Sequence, residues 1–203
     1  MSLCKLYTIG YTPFAVAEFM TTLKDLGITV LVDVRSVPHS ARYPEFDASS
    51  IKLHAHEHGL VYLHMGGGLG ARPNDPALYT SGVADFKKIA ASDGFERACQ
   101  RIRNGLERYT ICLMCAEQDP ADCHRAILIA HYFRKLYPDV EISHILAGAR
   151  VESQQELDYR ILSKYGMDQY SFDSTEVQDL DNAYRKREKK IAYTLATERE
   201  VDA

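Results

Sequence analysis

The sequence lacks the features that mark several large classes of protein. It has no tryptophan, no internal repeat and no apolar run near the roughly 18 residues that a membrane span requires. Basic residues are not in excess, since 24 Lys and Arg stand against 28 Asp and Glu, for a net charge of −4. We therefore expect neither a membrane protein nor a protein whose overall field attracts nucleic acid, although a local basic patch remains compatible with these numbers.

The cysteines do not suggest a disulfide framework. Their number is odd, and a chain of 203 residues is large enough to fold without covalent cross-links, so we expect reduced thiols: Cys4, Cys99, Cys112, Cys115 and Cys123. Cys112 and Cys115 form a C-x-x-C pattern inside an apolar run, whereas redox pairs begin a helix, so no redox pair is predicted. No signal-peptide core follows Met1, which predicts a cytoplasmic protein.

Apolar strand-like runs alternate with helical patterns along most of the chain. Hydrophobic residues make up 46% of the sequence, which is enough for a sizeable core. The predicted strands are 5–10, 28–32, 59–65, 109–115 and 140–146, and Thr12 and Pro13 are typical of the start of the first helix. We predict an α/β fold, a three-layer Rossmann-like domain over residues 1–168 with a mostly parallel sheet of about five strands.

Two segments carry less regular patterns. Residues 66–82 contain five glycines and two prolines, so they are predicted as a long surface loop. The loop satisfies a relaxed G-x-G-x-x-A dinucleotide pattern, but Arg72-Pro73 follows where a helix is required, and no cofactor is assigned. Residues 169–203 are a charged C-terminal extension, interpreted as a solvated or frayed helix, with contact to nucleic acid as the alternative.

Reactive side chains follow several of the predicted strands. The carboxyl ends of parallel strands share one edge of a sheet, so residues just past each strand can converge there. Tyr11 follows the first strand, Asp33 and Arg35 the second, and Cys115 and Glu117 the fourth. These residues are the candidates for a site.

The strongest local signal runs from Cys115 to Arg125. Asp119 is predicted as a helix N-cap with Pro120 at the first helical position, and such a helix start favours anions and lowers the pKa of a nearby thiol. The alternative is that the cysteine is a small core residue and the aspartate merely caps the helix. A phosphatase loop is disfavoured because Arg125 comes ten residues after Cys115 rather than six.

A metal site is the second possibility for this segment. Cys115, Cys123 and His124 are ligand types that suit zinc or iron. However, neighbouring side chains on a helix point about 100° apart, so Cys123 and His124 are not expected to face one ion. The sequence therefore predicts no metal site.

Arginines accompany the candidate edge. Arg35, Arg42, Arg72 and Arg125 lie in separate predicted loops, and together they suit a phosphorylated or nucleic-acid ligand better than a neutral one. A purely structural ion pair between Asp33 and Arg35 is the alternative for that part of the set.

Five motifs in this order resemble a known family. They are Tyr7-Thr8-Ile9-Gly10-Tyr11, Leu31-Val32-Asp33-Val34-Arg35-Ser36-Val37-Pro38, Arg42-Tyr43-Pro44-Glu45-Phe46, Leu69-Gly70-Ala71-Arg72-Pro73, and Leu113-Met114-Cys115-Ala116-Glu117 with Pro120 and Cys123-His124-Arg125. The set is similar to the domain of unknown function 488 family, from about Leu6 to Leu162. The resemblance implies a single α/β domain with Arg35, Cys115, Glu117, His124 and Arg125 as motif residues, and it implies no particular reaction.

We expect an enzyme, a cysteine-dependent hydrolase or transferase that acts on an anionic or nucleotide-like substrate. Cys115 serves as nucleophile or thiol ligand, and Glu117 or His124 transfers protons. The substrate is bound by Tyr11, Asp33, Arg35, Arg42, Arg72, Cys123 and Arg125. The alternatives are a nucleotide- or nucleic-acid-binding module without catalysis and an interaction protein whose cluster only holds its loops together. The expected partner is a small anionic ligand or nucleic acid, without a membrane, and the sequence does not predict the oligomeric state.

Overall fold

A mostly parallel six-stranded sheet forms the centre of the molecule. The computed structural model describes residues 4–167 and 176–195. The strand order is β3-β2-β6-β1-β7-β8, and every pairing is parallel except that of β8 with β7. The strands of the sheet are β1 (Cys4–Gly10), β2 (Val30–Asp33), β3 (Val61–His64), β6 (Ile111–Cys115), β7 (Val140–Ile145) and β8 (Val151–Ser153), and a separate hairpin is made of β4 (Tyr79–Thr80) and β5 (Val83–Ala84).

Eight α-helices accompany the strands in the described part of the chain. A π-helical segment, Arg125–Ala130, runs directly into one of them. The helices are α1 (Val16–Asp25), α2 (Ala48–Glu57), α3 (Gly66–Leu69), α4 (Phe86–Ala90), α5 (Asp93–Gly105), α6 (His131–Leu136), α7 (Gln154–Lys164) and α8 (Glu176–Ile191). Within the described ranges, none of these helices has the length and apolarity to cross a membrane.

The helices cover both faces of the sheet, which confirms the predicted three-layer α/β fold. Leu31, Cys112 and Met114 pack on one face with residues of α1 and α2. Leu113 and Cys115 pack on the other face with residues of α5, the π-helical segment and α7. Because side chains alternate along a strand, Cys112 and Cys115 point to opposite faces.

The sequence predicted five strands, and the sixth was missed. β8 has only three residues, too few for a two-residue periodicity to be recognised, and it pairs antiparallel with β7. The capping box at Ser153 and Glu156 that begins α7 is present. The first helix begins at Val16 rather than just after Thr12, because the N–H groups of Tyr11 and Thr12 bond to the carbonyls of Cys115 and Ala116 and the chain then makes a turn in which Phe14 N donates to the Tyr11 carbonyl.

The predicted surface loop at residues 66–82 is more ordered than expected. It contains α3 and the β4–β5 hairpin, and α3 packs closely against α5. Glycine is required for this approach, since a methyl group on Gly68 would lie 2.8 Å from the Gly94 carbonyl oxygen, and one on Gly66 would lie 1.9 Å from that of Arg35. The glycines therefore serve helix packing and not a dinucleotide motif.

The C-terminal extension contributes a packed helix and not a solvated one. In α8, Ala183, Tyr184 and Arg187 are buried against the domain. Arg187 donates from Nε to the Ala121 carbonyl at 2.6 Å and forms an ion pair with Asp122. After the helix, the carbonyl of Tyr193 accepts from Ala84 N at 2.8 Å. The remaining parts of the extension, residues 169–175 and 196–203, lie outside the described residues.

His144 on β7 makes the stability of the fold depend on pH. The ring is fully buried, its Nδ1 accepts from the Thr8 hydroxyl at 2.8 Å, and its Nε2 donates to Gln154 Oε1 at 3.1 Å. Burial, together with the smaller effect of the Arg125 charge, lowers the pKa of His144 to about 3. The unfolded chain takes up a proton near pH 6.5 while the folded chain does not, so stability is lost as the pH falls from there toward 3.

We expect His144→Gln to flatten this dependence, since glutamine keeps a hydrogen-bonding side chain that does not titrate. Between pH 6.5 and 5, the free energy of unfolding of the wild type should fall more steeply than that of the variant, by up to about 1.4 kcal/mol per pH unit. Urea unfolding at several pH values measures this, with the exposed His56→Gln as a control that leaves the slope unchanged. Parallel curves for wild type and His144→Gln would contradict it.

Candidate active site

The candidate residues meet at the carboxyl edge of three adjacent strands. Cys115, the last residue of β6, is paired with Gly10 at the end of β1. On the other side of β6, Asp33 at the end of β2 is paired with Met114. The loops that leave these three strands therefore begin side by side. This is the edge that the parallel arrangement predicted.

The segment after β6 differs from the predicted helix start. Pro120 to Asp122 form a separate 3-10 turn that is capped by Asp119. Cys123 is extended, with φ −130° and ψ 140°, and its carbonyl accepts from the N–H groups of Ala126 and Ile127. Cys123 thus occupies the N-cap position of the helix that begins at His124 and continues through the π-helical segment into α6. We call this continuous element the long helix. Two ion pairs to distant helices accompany the separation of this turn from the helix that follows it. Arg160 of α7 binds Asp119, and Arg187 of α8 binds Asp122.

Two thiols, a carboxylate and an imidazole converge at this point. We call Cys115, Glu117, Cys123 and His124 the thiol cluster; one ligand atom from each lies within 4.8 Å of all the others. Glu117 Oε2 lies 3.1 Å from Cys115 Sγ and 2.8 Å from Cys123 Sγ, and His124 Nδ1 lies 3.5 Å from Cys115 Sγ. The argument that Cys123 and His124 cannot face one point is therefore wrong, because Cys123 is not helical.

The pKa values of the four members of the thiol cluster depend on one another. Burial and the neighbouring Cys123 raise the pKa of Cys115 well above its ordinary value. Burial alone would raise the pKa of Cys123 too, but the hydrogen bond from Cys115 and the charge of Arg125 outweigh it and hold this pKa well below the usual range. Burial and Cys123 raise the pKa of Glu117. Burial opposes protonation of His124, yet Cys123 and Glu117 raise its pKa overall.

Asp33 and Arg35 form a buried ion pair beside the cluster. Arg35 donates from Nε to Asp33 Oδ1 at 2.9 Å and from Nη2 to Oδ2 at 2.6 Å, and the Tyr62 hydroxyl donates to Oδ2 at 2.9 Å. The Arg35 guanidinium also lies 5.1 Å from the centre of the Tyr11 ring. Tyr11 itself stacks on Phe46 at 4.5 Å. The structure thus contains the ion pair between Asp33 and Arg35, and Arg35 also lines the site, so substrate binding by these residues stays a prediction.

Arg125 supports the cluster from the protein interior. Its side chain is fully buried and donates from Nη1 to the Glu117 carbonyl at 2.6 Å and from Nη2 to the Gln118 carbonyl at 3.1 Å. These bonds turn the loop after β6 back toward β1. Its Nε has no hydrogen-bond partner among the described residues. Arg125 thus positions this loop, and direct binding of an anion by its side chain stays a prediction.

A cavity of about 360 Å³ opens onto the thiol cluster. Arg35 and Arg72 line it, whereas Arg42 is exposed elsewhere and lies over the Tyr43 ring. Arg72 stacks on the ring of Tyr193 at 4.6 Å. The lining includes Tyr11, Arg35, Ser36, His39, Arg72, Cys115, Glu117, Asp122, His124, Ile191 and Tyr193.

Sequence reasoning missed the contribution of the C-terminal extension to this cavity. Ile191 and Tyr193 reach it because α8 packs back onto the domain. The sequence contains a signal for this packing, since Leu180, Ala183, Tyr184 and Ile191 recur at the spacing of one helix face. The many charged residues between them made the segment resemble a solvated helix.

A second cavity, of about 740 Å³, lies on the other side of the Glu117 loop. Its main charged groups already bind one another, since Arg160 bonds to both Asp119 and Glu152. It contains no thiol and no imidazole. The smaller cavity is therefore the candidate active site.

Comparisons with known proteins agree with the resemblance seen in the motifs. A family model described as Domain of unknown function DUF488 matches residues 15–132, which contain every member of the thiol cluster and Asp33, Arg35, Arg42, Arg72 and Arg125, but not Tyr11. No curated protein and no solved structure gave a significant match. The matched range is more than half of the chain and contains Arg35, Cys115, Glu117, His124 and Arg125. The chain belongs to the DUF488 family, whose domain has no assigned function.

Proposed function

We propose that the protein is an enzyme that acts on a small anionic substrate, phosphorylated or nucleotide-like, in the cavity above the thiol cluster. One observation carries the proposal: two guanidinium groups and the groups suited to proton transfer line the same cavity. Its volume of about 360 Å³ is within the range of small-ligand sites. Arg35 and Arg72 bind the anion in this proposal, and Tyr11 forms part of the wall.

Glu117 is best suited to transfer protons. Glu117 is the most solvent-exposed residue of the thiol cluster, but its Oε2 packs against the two buried sulfurs. The loss of hydration there and the Cys123 sulfur raise the pKa of the carboxyl above its ordinary value, which is the direction that suits a general acid or base. Cys115 reaches the cavity, but its raised pKa keeps the isolated thiol protonated. The more acidic thiol, Cys123, does not line the cavity. We therefore assign catalysis to Cys115, Glu117 and His124 acting together rather than to a free Cys115 thiolate.

Arg72 provides the cleanest test of the anion site, because Arg35 also neutralises Asp33. Stacking on Tyr193 engages the face of the Arg72 guanidinium and not the N–H groups at its edge. We expect Arg72→Ala to weaken binding of an anionic ligand about tenfold to a hundredfold, since a hydrogen bond to a charged group contributes about 1.5–3 kcal/mol. The exposed Arg97→Ala is the charge-matched control and should bind as the wild type does.

The measurement is a thermal-shift screen of the reduced protein against inorganic phosphate, sugar phosphates, nucleotides and short oligonucleotides. A ligand at 100 times its Kd stabilises the protein by about 2.7 kcal/mol, which is readily seen. Ligands that shift wild type and Arg97→Ala but not Arg72→Ala support the anion site. Equal shifts in all three proteins, or none in any, would count against it.

Catalysis is tested on the ligands that bind. Each is incubated with wild type, with Glu117→Gln and with Cys115→Ser, and products are followed by mass spectrometry. Turnover by the wild type that both variants lose supports the enzyme. A ligand that binds tightly and is recovered unchanged indicates the alternative, a nucleotide- or nucleic-acid-binding module without catalysis, whose affinity for an oligonucleotide should fall steeply with salt.

A further inference from the structure

We propose that the thiol cluster is a binding site for one zinc ion, with Cys115, Cys123, His124 and Glu117 as its four ligands. The four ligand atoms form one compact group, since all lie within 4.8 Å of one another. Zinc in proteins is bound tetrahedrally at about 2.3 Å from sulfur and 2.0–2.2 Å from nitrogen or oxygen, which sets neighbouring ligand atoms roughly 3.3–3.8 Å apart. The distance of 3.5 Å between Cys115 Sγ and His124 Nδ1 falls in that range.

Glu117 requires only a small adjustment to fit the same shell. Its Oε2 lies 3.1 Å from one sulfur and 2.8 Å from the other, slightly closer than in a loaded tetrahedron. The carboxylate belongs to the exposed member of the cluster, so it can move outward by the roughly 0.5–1 Å that this shell requires without displacing the core. The two buried sulfurs sit on rigid elements, Cys115 at the end of β6 and Cys123 at the N-cap of the long helix.

The imidazole of His124 is oriented as in metal-binding histidines. Its Nε2 lies 3.1 Å from the Val34 carbonyl oxygen, which can only accept, so Nε2 must carry the proton. The lone pair of the neutral ring is then on Nδ1, the nitrogen that faces the sulfurs. Metal-ligating histidines commonly donate their other N–H to a backbone carbonyl, which fixes tautomer and ring orientation.

The charges of the site are balanced by a divalent cation. Binding of zinc displaces the thiol protons to solvent, so the loaded site contains two thiolates and one carboxylate. These amount to three negative charges in a largely buried volume, and such charges need pairing. A zinc ion neutralises two of them, and the buried Arg125, which interacts electrostatically with both thiols, offsets the third. Two soft thiolates with one imidazole and one carboxylate in a tetrahedral arrangement suit zinc better than magnesium or calcium, which prefer oxygen ligands at higher coordination.

Three of the four ligands line the cavity, namely Cys115, Glu117 and His124, and Glu117 is the most exposed of them. Cys115 and Cys123 are 2% and 1% exposed, so they hold the ion from the protein side. Release of Glu117 would leave three protein ligands and one open position, which is the arrangement of catalytic rather than structural zinc sites. This last step rests on the proposed function, whereas binding of the ion does not.

The experiment measures metal content without any substrate. The full chain is purified under reducing conditions, stripped with a chelator, returned to zinc, dialysed and analysed by mass spectrometry of the metal and of the native protein. We expect about one zinc per chain, and cobalt substitution should give the intense visible bands of four-coordinate cobalt with a thiolate charge-transfer band. Cys115→Ser and Cys123→Ser should lose at least about a hundredfold in affinity, and Glu117→Gln less.

Cys99→Ser is the matched control, since Cys99 is a buried free cysteine outside the cluster. It should keep one zinc per chain, and circular dichroism identifies any variant that is unfolded. Glu117→Gln alters only the exposed ligand, so it keeps the test decisive if a cysteine variant does not fold. Less than about one tenth of an equivalent of zinc in the wild type, or an octahedral cobalt spectrum, would overturn the proposal. If the protein binds zinc but no anionic compound binds in a way that depends on Arg72, the proposed function alone is contradicted.

Discussion

Asp33→Asn is expected to lower the free energy of unfolding by about 3–5 kcal/mol, because it leaves the buried Arg35 without its anion. Asp33 is fully buried and Arg35 is 6% exposed, so solvent compensates only weakly for the lost partner. The variant keeps the shape of the side chain, and the loss therefore reports charge rather than volume. Chemical denaturation at neutral pH measures it.

Two further variants separate the ion pair from other effects. Asp139→Asn removes an exposed ion pair with Arg103 and should change stability by less than about 1 kcal/mol. The double variant Asp33→Asn with Arg35→Met should recover much of the loss, since it removes the unpaired charge as well. A single Asp33→Asn variant as stable as Asp139→Asn would show that Arg35 finds another partner.

Gly10→Ala is expected to have an equally large effect, through the loop that carries Glu117. A methyl group at Gly10 would lie 1.8 Å from the Glu117 carbonyl oxygen and 3.0 Å from Arg125 Nη1. The carbonyl would have to move and would lose its bond from Arg125. We expect a loss of about 3 kcal/mol or more, from overlap with the backbone together with an unsatisfied buried polar group.

The consequence of Gly10→Ala for the site can be measured separately from stability. Displacement of Glu117 uncovers the thiols, so alkylation of Cys115 under native conditions should be faster in the variant than in the wild type. Gly67→Ala is the matched control, because a methyl group there meets nothing within 4 Å and the residue lies in α3. It should leave both stability, within about 1 kcal/mol, and alkylation unchanged. Unaltered alkylation in Gly10→Ala would mean that the loop adapts without moving Glu117.

The two predictions share a physical origin. Asp33, Gly10 and Arg125 do not meet the substrate in the proposed function, yet they hold Arg35 and the Glu117 loop in place beside the cavity. Few groups at this edge meet the substrate, and more groups hold those few in place. We therefore expect most damaging substitutions near this edge to displace the substrate-binding groups rather than remove them.

The sequence by itself determined the layered fold and the family. Continuous apolar strands such as Val30–Asp33 and Ile111–Cys115 with amphipathic helices between them allow few arrangements other than a parallel sheet covered on both faces. The same reasoning placed Asp33 and Cys115 at one edge, because the carboxyl ends of parallel strands coincide.

Only the tertiary structure decided how the side chains at that edge are used. The conformation of Cys123 depends on Arg160 and Arg187, which come from α7 and α8 and are separated from it by dozens of residues. Local helix signals at Asp119 and Pro120 therefore predicted a continuous helix and the wrong direction for the thiol. In the same way, Arg125 resembles an anion-binding arginine in sequence, and only its burial against two carbonyls makes it a support. Local patterns determine elements, whereas the direction of a side chain depends on packing between elements that are distant in sequence.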